Sequence, residues 1–193
     1  MRLAYLAPVL LACGSPPAKP TTRAAPAAVA PVAVTPVAAC ASPEHRQLDF
    51  WVGDWDVSVR ARAAPASEEW GESKGRQKIE SILGGCAISE SFSAEGPKTP
   101  WSGRSYSSWQ PAQGKWRQTW VDDSGSFLLF TGGVEDGEMR LYGEPRTVKD
   151  IAFQMRMVWK NVTADAMRWE WQRSTDGWKT QTVMIVVDYA RRR

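Results

Sequence analysis

The chain has 193 residues, of which 43% are hydrophobic, and it carries 24 basic and 21 acidic side chains. Three basic residues (Arg2, Lys19 and Arg23) and no acidic ones precede residue 43, so the remainder is neutral, with 21 residues of each sign. Nucleic-acid binding requires a basic surface, and the only basic run is Arg191–Arg193 at the C-terminus. Nucleic acid is therefore not an expected partner.

The first element is a short apolar run, Leu3–Ala12, that ends at Cys13. It is far shorter than the roughly 20 apolar residues of a membrane-spanning helix. Leu10-Leu11-Ala12-Cys13 resembles a bacterial lipobox, which implies a signal peptide over 1–12 and a lipid on Cys13 that anchors the protein to a membrane. Because Gly14 follows the cysteine, the resemblance implies the outer membrane, facing the periplasm. The alternatives are an ordinary secretory signal or a wrongly assigned start site, in either of which Cys13 is incidental.

Residues 13–42 are rich in Ala, Pro and Thr, and residues 1–42 hold 7 of the 13 prolines and none of the 11 tryptophans. Such a segment buries too little apolar surface to offset its ordering entropy, which predicts a disordered tether. Residues 43–193 have the usual size of one domain.

The two cysteines beyond Cys13 are an even pair, Cys40 and Cys86. In an oxidising compartment they are expected to form a disulfide. The alternative is two unpaired thiols, because a sequence does not supply the geometry. No His or Cys lies near either residue at ligand spacing, so no metal site is expected.

Strands are predicted almost throughout the domain. Ile151 to Trp159 and Met167 to Trp171 alternate apolar and polar residues, which is typical of strands with one buried face. Only Pro43–Trp51 is expected to be helical, over a turn or two. Turn residues between the runs predict an antiparallel meander, which closes into a barrel or packs as a sandwich. The expected strands lie near 54–62, 72–83, 86–94, 102–110, 115–121, 126–133, 138–144, 149–160, 165–174 and 178–189.

Four segments resemble a bacterial domain-of-unknown-function family with a lipocalin-like, calycin-type barrel: His45–Val57, Ile82–Glu90, Gly114–Asp122 and Tyr189–Arg192. The resemblance covers most of residues 43–193. It implies an all-β, antiparallel up-and-down barrel of about 8–10 strands, preceded by a short helix. It does not imply an activity.

Gly53-Asp54-Trp55 also resembles the Gly-x-Trp motif of lipocalins. There the glycine lets the first strand leave a short helix, the tryptophan plugs one end of the barrel, and a basic residue of the last strand covers its ring. Arg191 or Arg192 is the expected partner of Trp55. This role is structural.

Residues suited to catalysis are few. His45, the only histidine, is expected to be a surface or capping residue, and Asp54 with Asp56 and Asp122 with Asp123 are expected at the rim or in a turn. Relatives of the nitrobindin type bind haem through a histidine in a late strand, and no histidine follows His45. No catalytic residue and no cofactor is therefore expected.

The late strands are rich in tryptophan and methionine, which either form a filled core or line a cavity for one small hydrophobic molecule. The candidate lining residues are Trp116, Trp120, Met155, Met157, Trp169 and Trp171.

Three functions remain open from the sequence. The first is a lipid-anchored module that binds a small hydrophobic ligand in the barrel. The second is a structural or interaction lipoprotein with a filled barrel and a protein partner in the envelope. The third is an enzyme that uses a carboxylate inside the barrel, and a buried acid in an open cavity would favour it.

Overall fold

The computed structural model describes residues 40–95 and 100–193, and strands account for most of them. Two short 3-10 turns, Pro43–Arg46 and Asp49–Trp51, precede the first strand, and a third, Leu83–Gly85, follows the second. The strands are β1 (Gly53–Ala61), β2 (Gly71–Ile82), β3 (Ala87–Ala94), β4 (Trp101–Gln110), β5 (Lys115–Asp122), β6 (Phe127–Glu135), β7 (Glu138–Gly143), β8 (Arg146–Val148), β9 (Ile151–Lys160), β10 (Ala166–Ser174) and β11 (Thr182–Arg191).

The strands form one antiparallel sheet that closes on itself. Its order is β10-β11-β1-β2-β3-β4-β5-β6-β7-β9, and β9 also pairs with β10, so ten strands make a complete ring. Strand β8 pairs only with the first residues of β9. Consecutive strands are neighbours around the ring, except where β8 intervenes. The predicted all-β, up-and-down barrel is therefore confirmed.

Alternation along each strand decides which side chains face the interior. In β1, Trp55, Val57 and Val59 are buried, whereas Asp54 and Asp56 are exposed. The same period holds in β3 for Ile88, Glu90 and Phe92, which are all buried. The closed sheet brings these inward faces together in a single core.

Two predicted boundaries were wrong. The strand expected near 149–160 begins at Ile151, because Lys149 and Asp150 adopt positive φ values of 50° and 63° and form a tight turn. This turn connects β9 to β8, a three-residue strand that was not predicted from the sequence. The last strand begins at Thr182 rather than near 178, because Asp176 accepts hydrogen bonds from the backbone and hydroxyl of Thr180 and holds the preceding residues in a loop.

The 3-10 turns before β1 cover one end of the barrel, called here the closed end. Leu48, between the two turns, and Trp51, at the end of the second, are fully buried. The indole Nε1 of Trp55 donates to the Trp51 carbonyl at 2.8 Å, and Nε1 of Trp116 donates to Gln47 Oε1 at 3.0 Å. This end is thus filled by large side chains that hydrogen-bond to the turns.

The predicted disulfide between Cys40 and Cys86 is confirmed. The two residues are 46 positions apart, and their Cα atoms lie 4.9 Å from each other. The bond ties the chain just before the first 3-10 turn to the connection between β2 and β3.

The predicted signal peptide 1–12, Cys13 and nearly all of the predicted tether 13–42 lie outside the described residues. Within residues 40–95 and 100–193, no helix has the length and hydrophobicity needed to cross a bilayer.

Candidate ligand-binding cavity

Arg191, Trp55 and Gly53 meet at the closed end. The guanidinium of Arg191 lies 4.0 Å from the centre of the Trp55 ring and donates from Nη1 to the Val52 carbonyl at 3.0 Å. Gly53 has a φ of 145°, and a Cβ added there would lie 2.1 Å from Arg191 Nη1. The position therefore needs glycine both for its backbone and for the room that Arg191 occupies. Arg192 instead pairs with Asp56 on the outer face, at 3.5 Å.

A cavity of about 170 Å³ lies inside the barrel. It extends from Trp51 and Trp159, near the closed end, to Trp101, Trp120 and Leu128 at the opposite end. The last three side chains are only partly buried, and we call this end the mouth. The other lining residues are Gln77, Glu90, Phe92, Asp122, Phe130, Met157, Trp169, Trp171, Ile185, Val187 and Tyr189.

Aromatic rings make up most of the cavity wall. Trp169 and Trp171, both inward on β10, stack with an angle of 11° between their planes and 6.0 Å between their centroids. Trp101 and Trp120 lie 5.9 Å apart near the mouth, and Trp51 and Trp159 meet edge to face at 5.2 Å near the closed end. Rings held by one another in this way provide rigid, flat surfaces for a ligand.

A buried polar cluster is set into this apolar wall, centred on Glu90 of β3. Gln77 Nε2 donates to Glu90 Oε1, and Ser105 Oγ donates to Glu90 Oε2. Gln118 Nε2 donates in turn to Ser105 Oγ at 3.0 Å. The strand register brings these side chains together. Ser105 of β4 pairs directly with Glu90, and Gln77 of β2 pairs with Phe92, which is two residues from Glu90 on the same face of β3.

Burial governs the protonation of this cluster. It raises the pKa of Glu90 to about 7, against the opposing effect of hydrogen bonds from Ser105 and Gln77. Burial also raises the pKa of Tyr189 well above its usual range, and the negative charge of Glu90 adds to this effect. Glu90 therefore changes its charge near neutral pH, while Tyr189 stays neutral.

A second carboxylate, Asp122, stands at the mouth. Partial burial raises its pKa, but hydrogen bonds from Ser124, from Trp120 and from the Ser126 backbone outweigh this and lower the pKa to about 2. Trp120 Nε1 donates to Asp122 Oδ2 at 2.9 Å, which fixes the indole ring at the rim. The described lining residues include no lysine, arginine or histidine.

Four of the six candidate lining residues from the sequence are at the cavity wall: Trp120, Met157, Trp169 and Trp171. Trp116 instead belongs to the packed closed end, where it bonds to Gln47 and is 1% exposed. Met155 pairs with Arg173 in the register of β9 and β10 and is not a lining residue. Alternation places all six on inward faces, but only their depth along the barrel decides which of them reach the cavity.

Sequence reasoning missed Glu90 and Gln77. The signal was present in the sequence. Glu90 lies two residues from Ile88 and from Phe92, and Gln77 lies two residues from Ile79, so each polar residue shares a strand face with apolar ones. A polar residue at an inward position of an apolar strand face points to a buried polar site.

The other polar residues considered from the sequence lie away from the cavity. His45, which was expected at the surface or as a capping residue, is buried within the first 3-10 turn, with Nδ1 2.9 Å from Ser42 Oγ. Asp54 and Asp56 are exposed. In the part of the chain that the structure describes, no three His, Cys, Asp or Glu side chains are placed to hold a metal ion.

The fold is similar to that of solved structures of low sequence identity. The crystal structure of Rv2717c from M. tuberculosis is 14% identical and matches with a TM-score of 0.55, over 79% of this chain and 99% of that chain. The S-type phycobiliprotein lyase CPES from Guillardia theta is 12% identical, with a TM-score of 0.48, over 76% of this chain and 90% of that chain.

No curated protein sequence matches the chain. Residues 41–191, which include all eleven strands, match the family described as protein of unknown function DUF1579. The chain therefore belongs to the DUF1579 family.

Proposed function

We propose that this protein is a lipid-anchored carrier of the bacterial cell envelope that binds one small, flat and largely apolar molecule inside its barrel. The cavity walled by stacked tryptophans is the observation that carries this proposal. A barrel of this size has room for a single small ligand, and rigid rings with a few polar groups suit such a site.

The size of the cavity limits the ligand. Its volume of about 170 Å³ is close to the roughly 150 Å³ of an apolar protein cavity that accommodates benzene. One substituted ring fits wholly inside. A larger molecule would place one ring inside the cavity and extend through the mouth past Trp101 and Trp120.

The location rests on two observations. Leu10-Leu11-Ala12-Cys13 resembles a bacterial lipobox, and disulfides such as Cys40–Cys86 form and persist in oxidising compartments. Lipid on Cys13, with the following segment as a tether, would hold the barrel at the outer membrane, facing the periplasm.

A neutral fluorescent apolar dye, N-phenyl-1-naphthylamine, tests the cavity through its rise in emission on binding. We expect the wild-type protein to bind it, and Trp171→Ala to change its affinity several-fold because the stacked wall is lost. Trp178→Ala is the matched control, because Trp178 lies on the outer face beside Tyr142 and Arg156. No binding by the wild type, or equal effects of both substitutions, would contradict the proposal.

Native mass spectrometry of the protein purified from its host tests the same point without a chosen dye. A co-purifying small molecule supports the carrier. A barrel that returns empty and binds no dye would favour the alternative of an interaction lipoprotein. Its outer face exposes Tyr106, Val121 and Phe127 on the adjacent strands β4, β5 and β6.

Glu90 favours acid–base catalysis as a second candidate function, because it is a buried acid in an open cavity with a pKa of about 7. A catalyst would return a bound molecule chemically altered, whereas a carrier would return it unchanged. Mass spectrometry after incubation with the co-purified compound separates the two.

A further inference from the structure

We infer that the ligand of this cavity carries a positive charge, as a protonated amine or a protonated nitrogen heterocycle, and that Glu90 is its counter-ion. The inference rests on the proposed function, since it assigns the chemistry of the molecule that the cavity binds.

The charged residues of the cavity wall are all of one sign. Its two charged side chains, Glu90 inside and Asp122 at the mouth, are both acidic. Gln77 and Ser105 donate hydrogen bonds to Glu90 but bring no positive charge. An ionised carboxylate buried without a cation is unfavourable, so a ligand that supplies the missing charge gains an attraction strengthened by the apolar surroundings.

The aromatic walls favour the same class of ligand. The faces of tryptophan rings attract cations, and quaternary and alkylated ammonium groups are recognised by cages of such rings. Phe92 lies on the same face of β3 as Glu90, and its ring is 4.9 Å from that of Trp101. A cation near Glu90 would therefore be bordered by both a carboxylate and aromatic surfaces.

Asp122 extends this charge pattern to the entrance. The hydrogen bonds that Ser124 and Trp120 donate to Asp122 lower its pKa, so this carboxylate, and with it the rim, stays negative throughout the neutral pH range. A negative rim ahead of a negative interior attracts cations and disfavours anions.

Three probes of nearly equal size separate charge from shape: benzylamine, benzyl alcohol and ethylbenzene. Each has one ring and the same number of heavy atoms, and only benzylamine is a cation at neutral pH. We expect calorimetric titration of the full-length protein to show that benzylamine binds at least about tenfold more tightly than benzyl alcohol. The advantage should disappear in Glu90→Gln, and it should persist in Glu72→Gln, which removes an exposed carboxylate from the outer face of β2.

The pH dependence of the wild type gives a second test that needs no variant. Tyr189 is the other titratable group against Glu90, and it stays neutral, while Asp122 stays ionised. Only Glu90 therefore gains charge in the cavity as the pH rises from about 5.5 to about 8.5. The affinity for benzylamine should rise through this range, and the affinity for ethylbenzene should not.

The outcomes distinguish the two proposals. If ethylbenzene and benzyl alcohol bind as tightly as benzylamine at every pH, the cavity binds apolar rings, but the inference about charge is wrong. If none of the three probes nor the dye binds, the proposed function fails, and the inference fails with it. Should Glu90→Gln not fold, the pH series alone decides.

Discussion

The guanidinium of Arg191 lies 4.0 Å from the centre of the Trp55 ring. A residue of the last strand thus covers the tryptophan of the first strand that fills the closed end of the barrel. Arg191 also donates to the Val52 carbonyl in the segment that enters β1. Because this contact and the 3-10 turns fill the closed end, a ligand would enter through the mouth, where Trp101 and Trp120 lie.

Gly53→Ala should destabilise the protein by about 1–3 kcal/mol, because a left-handed backbone and a clash with Arg191 act together. Chemical denaturation followed by tryptophan fluorescence measures the change. Arg192→Ala is the control, since Arg192 forms an exposed pair with Asp56 that contributes about 0–1 kcal/mol. Equal effects of the two substitutions would show that the Arg191 contact does not stabilise the closed end.

Glu90→Gln should change how stability depends on pH. Between pH 4.5 and about 7 the folded protein holds a proton on Glu90 that the unfolded chain releases, so this group lowers stability as the pH rises. The full loss, roughly 3 kcal/mol, is reached above the folded pKa. We therefore expect the variant to gain stability relative to the wild type from pH 4.5 upward in thermal unfolding. A difference that does not vary with pH would show that Glu90 titrates normally.

Gly103→Ala should disturb the cavity wall. A Cβ at Gly103 would lie 2.1 Å from Cζ2 of Trp120, so the indole ring must move from its position against β4. We expect a loss of about 1–3 kcal/mol and weaker dye binding. Gly133→Ala is the matched control, because a Cβ there meets nothing within 4 Å, and it should leave binding unchanged.

Loss of the disulfide should lower stability by a similar amount whichever cysteine is replaced. The chain-entropy estimate for cysteines 46 residues apart is roughly 4 kcal/mol. Cys40→Ser, Cys86→Ser and the double variant should have nearly equal melting temperatures, close to that of the reduced wild type. Widely different values would contradict a single shared bond.

Cys13→Ser should release the protein from membranes into the soluble exported fraction, because the lipid attachment site is lost. Fractionation of host cells measures this, with Cys40→Ser as the control that keeps the anchor. If Cys13→Ser stays with the membranes, the signal is not that of a lipoprotein.

Local patterns were sufficient to predict most of the fold. Alternation from Ile151 to Trp159 and from Met167 to Trp171 predicted β9 and β10, since period two is a property of the strand backbone itself. The disulfide was predicted from the even number of cysteines beyond Cys13 and the expected oxidising compartment, since Cys40 and Cys86 are 46 residues apart. The boundary near residue 178 was missed because hydrogen bonds from Thr180 to Asp176 override the strand tendency of the segment.

Position along the barrel axis was decided only by the tertiary structure. Alternation gives Trp116 and Trp120 the same inward face, but the strand register and the 3-10 turns place Trp116 in the packed closed end and Trp120 at the cavity wall. Glu90, Gln77 and Ser105 come from three strands, and they meet because the sheet closes with a particular register. The sequence by itself therefore determined the strands and their inward faces, and it made a disulfide between Cys40 and Cys86 the expected pairing. Ring closure decided which inward side chains surround the cavity and which carboxylate lies buried beside it.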